Sequence, residues 1–335
     1  MNYSEVRVLV TGADGFIGSH LTEALVAEGA RVTALSAYNS FDRAGWLDDL
    51  SEDAYARIRL LRGDIRDPGF MRRIMHEQQI VFHLAALIAI PQSYHAPSSY
   101  ADTNVLGTVN VLEAAREEKV QRVVHTSTSE VYGTAITMPI AETHPLQGQS
   151  PYSASKIGAD MMAEAFARSF DCPVAILRPF NTFGPRQSER AVIPSIIRQA
   201  VDPNCPAILV GDTTPTRDLT FVTDTVAAFL ALGVAPSIDF GRPYNAGSGR
   251  AITIGEVADL ILAVTGCAKP IVEDRQRFRP ARSEVRALLA DSTRLRDATG
   301  WTSTVHLVDG LERSVAWWRD RMARELIRRD RAFIM

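Results

Sequence analysis

Along the first half of the chain, short apolar runs alternate with stretches whose apolar positions recur every three or four residues. Each run bounded by turn residues predicts a buried strand, and each periodic stretch predicts a helix with one apolar face. Residues 6–10 predict the first strand. Residues 17–28 predict the first helix, with Ile17, Leu21, Ala24 and Leu25 on one side. Further strands are predicted at 31–35, at 58–62 (closed by Gly63-Asp64), at 80–84 (ending in Ala85-Ala86), at 120–126 and at 174–177. Long helices are predicted at 98–117 and 152–170. Strand and helix in strict alternation predict a parallel sheet covered on both faces, an α/β doubly wound architecture.

Beyond Arg178 the pattern loosens, and prolines at 179, 185, 194, 203, 206 and 215 punctuate shorter segments. The division this predicts is 1–178, a regular half that the motifs below mark as dinucleotide-binding and catalytic, and 179–335, a smaller α/β part left for substrate. An element near 220–232 is expected to return to the first half. The alternating charges from 319 to 331 predict a solvated terminal helix.

Composition narrows the classes without choosing among them. At 335 residues, 46% hydrophobic and 22% charged, the chain is ordinary for a soluble globular protein. A formal charge of −3 gives no reason to expect nucleic acid or an anionic membrane as partner. No apolar run is long enough to span a bilayer and no signal-peptide pattern opens the chain. Cys172, Cys205 and Cys267 are far apart and fit no metal or disulfide spacing, so no metal is expected and a reducing, cytoplasmic setting is.

The first candidate chemistry is Thr11-Gly12-Ala13-Asp14-Gly15-Phe16-Ile17-Gly18, with glycines three and three apart between a strand and a helix. In this Rossmann-type setting the first glycine makes the tight turn, the second lets backbone approach a pyrophosphate and the third packs helix on strand. The acid that usually grips the adenosine ribose is replaced by Ser36, and no carboxylate follows before Asp42. Arg43 could meet a 2′-phosphate, so NAD is preferred while NADP stays open. Asp64 is a candidate adenine contact or a turn cap.

The second is Thr126-Ser127-Thr128-Ser129-Glu130-Val131-Tyr132-Gly133, followed by Tyr152-Ser153-Ala154-Ser155-Lys156. Tyr152 and Lys156, four apart on a helix, share a face, where the ammonium can lower the phenol's pKa and the phenol can take a hydroxyl proton as hydride leaves the same carbon. Thr128, Ser129 and Glu130 would alternate in direction on a strand, so the chain must leave strand geometry if all three are to converge.

With these motifs in this order, the chain resembles the extended short-chain dehydrogenase/reductases, the nucleotide-sugar epimerases, dehydratases and decarboxylases. Asn104-Val105-Leu106-Gly107-Thr108, Arg178-Pro179-Phe180-Asn181, Arg217-Asp218, Phe221-Val222-Thr223-Asp224 and Gly300-Trp301 extend the likeness over essentially the whole chain. Tyr38-Asn39-Ser40-Phe41, residues 85–91, 144–151 and Gly184-Pro185-Arg186-Gln187-Ser188 resemble bacterial 4,6-dehydratases of the legionaminic acid type. Phe278-Arg279-Pro280 leading into Ser283-Glu284-Val285 resembles GDP-mannose 4,6-dehydratases.

That resemblance implies tightly bound NAD, regenerated each cycle and held by Gly12, Gly15, Phe16, Ile17, Gly18, Ser36, Asp64, Ile65, Leu84, Ala85, Ala86, Asn104, Tyr152, Lys156 and Pro179. It implies oxidation of a sugar at C4, water loss across C5 and C6, and hydride return to C6. Tyr152 would be the base at the C4 hydroxyl, Lys156 its support, and Thr128 a hydrogen-bond partner of the C4 oxygen. Glu130 would take the C5 proton and Ser129 would help the C6 hydroxyl depart, although the dTDP-glucose enzymes carry an acid at this last position. Asn181, Arg190, Arg217 and Arg279 would hold the nucleotide diphosphate. Arg186 and His95 are further candidates whose plainer readings are a solvated arginine and a surface histidine. UDP- or GDP-N-acetylglucosamine is the expected substrate, and a homodimer through a four-helix bundle of the 98–117 and 152–170 helices is the expected assembly. Uronic-acid decarboxylation shares the same triplet and stays open. C4 epimerisation is the less favoured alternative, because the epimerases usually lack a carboxylate matching Glu130. A non-catalytic cofactor-sensing regulator is remote, since Tyr152 and Lys156 are both present.

Overall fold

In the computed structural model, which describes residues 2–327, seven strands form one parallel sheet. They are β1 (Arg7–Thr11), β2 (Arg31–Ala37), β3 (Ile58–Gly63), β4 (Ile80–His83), β5 (Arg122–Thr126), β6 (Val174–Pro179) and, from far along the chain, β10 (Pro243–Ala246). Their spatial order is β10-β6-β5-β4-β1-β2-β3, with β10 pairing Tyr244 opposite Leu177 on β6. A small sheet joins β7 (Asn181–Phe183), β9 (Thr216–Phe221) and β11 (Ala251–Thr253), while β8 (Ile208–Val210) pairs with β12 (Ile271–Glu273).

Both faces of the large sheet are covered, which is why its strands read as nearly continuous apolar runs. Successive residues feed opposite cores. Val8, Val10, Val32, Ala34 and Phe82 enter one, whereas Leu9, Leu35, Val81, Val123 and Ile176 enter the other. The first core is closed by α1 (Phe16–Ala27) with Leu21 and Leu25. The second is closed by α3 (Pro68–Met75), α6 (Gly107–Glu117) and α7 (Pro151–Phe170). Short helices α2 (Glu52–Ala56), α4 (Ile90–His95) and α5 (Pro97–Tyr100) fill the connections. In the second half α8 (Val192–Val201), α10 (Ile254–Thr265) and α12 (Leu307–Ala323) pack on the small sheets, α9 (Val222–Val234) packs on α1 and the large sheet, and α11 (Thr293–Thr299) packs on β10 and α9. Sheet and first core therefore both draw on residues beyond 178.

Two expectations need correction. The 98–117 stretch is not one α-helix, because residues Ala101–Leu106 form a π-helical segment between α5 and α6. Such a bulge widens the turn and re-aims side chains, here Asn104. Nor is the 319–331 stretch simply solvated. Arg321 lies over the rings of Trp46 and Trp317, at 4.9 and 5.0 Å, and pairs with Asp49 at 2.5 Å. Residues 328–331 of that stretch lie outside the described residues.

Candidate active site

The glycine loop lies where β1 and β4 meet, at the point where the order of connections reverses. Gly12 turns with φ +68°, and a side chain there would sit 2.7 Å from the Ala85 amide nitrogen. A Cβ on Gly18 would come within 2.1 Å of the Gly12 carbonyl oxygen. Gly15 caps α1 with no side-chain hydrogen bond, leaving the first-turn amides of Phe16, Ile17 and Gly18 able to face an anion. Thr11 fixes the opposite wall, since its carbonyl accepts from Leu84 N–H at 3.1 Å and its hydroxyl from Ala85 N–H at 3.1 Å. This narrow backbone cradle fits a dinucleotide pyrophosphate.

Around it, several expected cofactor residues have other partners. Ser36 is buried and donates to Asp14 at 3.1 Å, so the carboxylate at the tip of β2 comes from the glycine loop itself. Burial raises the Asp14 carboxyl above its ordinary value, and the Ser36 hydrogen bond offsets part of that rise. An acid between two loop glycines was the available signal, and linear reading along β2 missed it. Asp64 accepts from the Arg66 backbone at 2.9 Å and pairs with its guanidinium, a turn cap. Arg43 lies 3.8 Å from Asp48. Asn104, on the π-helical segment, accepts from Leu87 N–H at 2.8 Å and donates to the Leu87 carbonyl and to Ser155, both at 2.9 Å. It ties Leu87, just past the end of β4, to Ser155 on α7. Ile65 is buried against Gly107, and Pro179 ends β6.

The catalytic face is built by two caps. Ser150 and Ser153 form a reciprocal box at the start of α7, with N–H to hydroxyl distances of 3.1 and 2.9 Å, and Pro151 follows in the first turn. That fixes where Tyr152 and Lys156 emerge. After β5 the chain leaves strand geometry. Thr128 is extended and its hydroxyl accepts from Glu130 N–H at 3.2 Å, capping a 3₁₀ turn over Ser129–Tyr132. Thr128 and Glu130 both lie near enough to the Tyr152 phenol to act on its ionisation, Thr128 favouring the phenolate and the Glu130 charge opposing it. Ser129 is buried in the same turn.

Burial pushes the Tyr152 phenol well above its ordinary value; Thr128 lowers it, while Glu130, Tyr100 and Asp160 add to the rise. Lys156 is itself desolvated, pushed down to about 8, and donates to the Thr126 carbonyl at 2.6 Å.

Beyond Glu130, a cleft of about 290 Å3 is lined by Asn181, Arg190, Arg217, Phe278, Arg279 and Glu284 among others. The four expected nucleotide-binding residues thus line one cleft. Arg217 donates to Glu284 at 2.9 Å, and Arg279 lies 3.6 Å from Glu130 and 3.8 Å from Glu284. The Asn181 side-chain oxygen is buried without a partner. Glu284 was missed as a site residue, although its Ser-Glu-Val setting was visible. Arg186 is not solvated: it is buried and lies 3.0 Å from Glu23 on α1. His95 is exposed. Among the described residues no cluster could hold a metal ion, and no helix is long and apolar enough to cross a membrane.

A Rossmann sheet with a backbone pyrophosphate cradle, a Tyr–Lys pair and an arginine-lined cleft defines an NAD-dependent epimerase/dehydratase of the extended short-chain dehydrogenase/reductase class. Comparison with known proteins narrows this further: residues 9–314 match the model for GDP-mannose 4,6 dehydratase, and the chain belongs to that family. It is 36% identical to a dTDP-glucose 4,6-dehydratase of Streptomyces griseus over 93% of this chain and 94% of that protein. It is 33% identical to a UDP-glucose 4-epimerase of Mycolicibacterium smegmatis over 94% of this chain and 99% of the other. The dTDP-glucose 4,6-dehydratase of Streptomyces venezuelae, solved with NAD bound, superposes with a TM-score of 0.82 at 30% identity, covering 95% of this chain and 98% of that one. The protein is an NAD-dependent enzyme of this nucleotide-sugar dehydratase and epimerase group.

Proposed function

We propose that the chain is a nucleotide-sugar 4,6-dehydratase acting on UDP- or GDP-N-acetylglucosamine. The observation that carries the reading is Glu130, a buried carboxylate on the 3₁₀ turn capped by Thr128, whose charge reaches the Tyr152 phenol. Oxidation at C4 needs only a base at the C4 hydroxyl. Dehydration also needs a second base at C5, whose proton becomes acidic once C4 is a ketone. Bound NAD supplies the two-electron oxidation at C4 and its return to the sugar. Tyr152 takes the C4 hydroxyl proton while Thr128 holds the oxygen. Lys156, Gly12, Gly15 and Gly18 hold the cofactor, with Asp14 and Ser36 at its ribose end. Glu130 removes the C5 proton, and Ser129 bonds the departing C6 hydroxyl. Asn181, Arg190, Arg217 and Arg279 receive the diphosphate, for which a guanidinium fork is well matched.

The N-acetylglucosamine assignment draws on the resemblance of 184–188 and 278–285 to legionaminic-type and GDP-mannose dehydratases. A 4-epimerase is the second reading, favoured by Ser129 where an acid would assist water loss. Mass spectrometry of products from a panel of UDP-, GDP-, CDP- and dTDP-hexoses separates them. Dehydration removes one water, whereas epimerisation leaves the mass unchanged.

A homodimer through the region of α6 and α7 fits the exposed apolar side chains Leu106, Met161 and Phe170. Light scattering giving twice the chain mass supports it, and a monomer at micromolar concentration counts against it.

A further inference from the structure

Beneath the catalytic face lies a group of buried charges that the chemistry above does not use. Tyr152, Lys156 and Asp160 follow one another at four-residue steps along α7 and share its buried face. Asp160 is fully buried. It accepts from Ser127 at 2.7 Å, from His125 Nε2 at 3.2 Å and from Arg178 Nε at 3.0 Å, with Arg178 Nη2 also at 3.0 Å. Arg178 in turn donates to the Tyr132 hydroxyl at 2.9 Å, which donates to Asn245 at 2.7 Å. Tyr132 closes the 3₁₀ turn that bears Ser129 and Glu130. One carboxylate is therefore bonded to the cation that braces the turn and lies one helical turn beyond the cation that serves Tyr152.

Lys156 itself donates to a neutral acceptor, the Thr126 carbonyl. The Lys156 charge acts on His83 on β4 and His125 on β5; the elements packed on its helix carry Glu130 and Tyr132 on the 3₁₀ turn, Tyr100 on α5 and Arg178 on β6, and Tyr152 and Asp160 lie one turn to either side of it. The histidines add no charge. Thr108 gives its hydroxyl proton to the Asn104 carbonyl, so it accepts from His83 Nε2–H, and His83 Nδ1 accepts from Thr11. Burial lowers both imidazoles, keeping them neutral. Burial alone would raise the Asp160 carboxyl, but His125, Arg178 and Lys156 hold it below its ordinary value, so it is an anion.

We infer that Asp160 is a positioning residue for the Tyr152–Lys156 pair: its buried negative charge keeps Lys156 an ammonium, and Arg178 draws on the same charge from the opposite side. Desolvation pushes Lys156 down, and Asp160 is the group that opposes this. The inference rests on the Tyr–Lys reading of the site, so it is tested without substrate.

Lys119, Lys156 and Lys269 are the chain's three lysines. In NAD-loaded protein labelled with 13C at lysine Cε, Lys156 is therefore one of three signals, assigned by its loss in Lys156→Met. The wild-type midpoint is the reference, expected below the ordinary lysine value of 10.5. Asp160→Asn should lower that midpoint by about one pH unit or more, whereas Arg178→Gln, which releases Asp160 to Lys156, should raise it. The double variant removes both charges, relieves Arg178 if the single Asn variant fails to fold, and should titrate below wild type. Shifts of one sign in the Asn and Gln variants, or none, overturn the proposal. Opposed shifts in a protein that dehydrates no nucleotide sugar leave it standing and sink the dehydratase reading instead.

Discussion

The catalytic face and the nucleotide cleft adjoin each other, yet they are built differently. The face stands on the ends of β1, β4 and β5 and on the first turns of α7, each fixed by a cap or a backbone contact. The cleft is made of loops and short strands, and its arginines already hold carboxylates: Arg217 with Glu284, and Arg279 between Glu130 and Glu284. Rigid elements hold the reacting groups where small displacements cost rate. In the cleft, preformed ion pairs keep buried guanidinium groups compensated, and on the proposed reading a diphosphate would take the place of the carboxylates. Chemistry and recognition should therefore fail separately when mutated.

The largest effects belong to the face. Tyr152→Phe should reduce turnover by about 10³-fold or more with the folded state intact, as read by product formation and circular dichroism. Glu130→Gln should slow water loss by roughly 10²- to 10⁴-fold while C4 oxidation persists, so NADH absorbance appears without dehydrated product. If Glu130→Gln instead behaves as a KM variant, the division between face and cleft is wrong. In the cleft, Arg217→Met should raise KM by roughly 10-fold or more with little change in kcat, because a charge-assisted hydrogen bond to phosphate contributes about 1.5–3 kcal/mol.

Smaller effects concern stability. His20 is held down to about 4, mainly by burial and then by the Arg186 charge, against an ordinary 6.5. A folded value below the unfolded one favours the neutral ring. That stability is fully present above about 6.5 and is lost as pH falls toward 4. His83 and His125 are shifted the same way. Thermal melts should fall over that window, and His20→Gln should flatten the decline. Arg321→Ala, which uncovers Trp46 and Trp317, should cost about 1 kcal/mol and leave kinetics unchanged.

What was legible follows the same line between regions. The βαβ alternation, the glycine loop and the Tyr–Lys spacing are local patterns, so they predict six strands of the sheet and the catalytic face directly. The seventh strand, β10, joins β6 from 64 residues further along, as Pro243 minus Pro179 gives, and local periodicity carries no trace of that pairing. The π-helical segment is likewise hidden, because Asn104 takes up contacts with Leu87 and Ser155 that sequence spacing does not specify. Asp218 and Asp224 mark the family likeness in the sequence, and the structure shows what they do: one clamps Ser248, Gly249 and Ala290 and the other holds residues 303–305. Asp14 and Glu284 stand in motifs visible along the chain, but it is neighbours distant in sequence, Ser36 and Arg217, that bring them to the site.

The central claim is that Glu130 adds proton abstraction at C5 to the redox step at C4. Incubation with UDP- and GDP-N-acetylglucosamine in D2O, read by mass spectrometry and NMR, tests it most directly. The account predicts a product lighter by one water that carries solvent deuterium at C5, and no such product from Glu130→Gln. A product of unchanged composition, inverted at C4 and without solvent deuterium at C5, would contradict it.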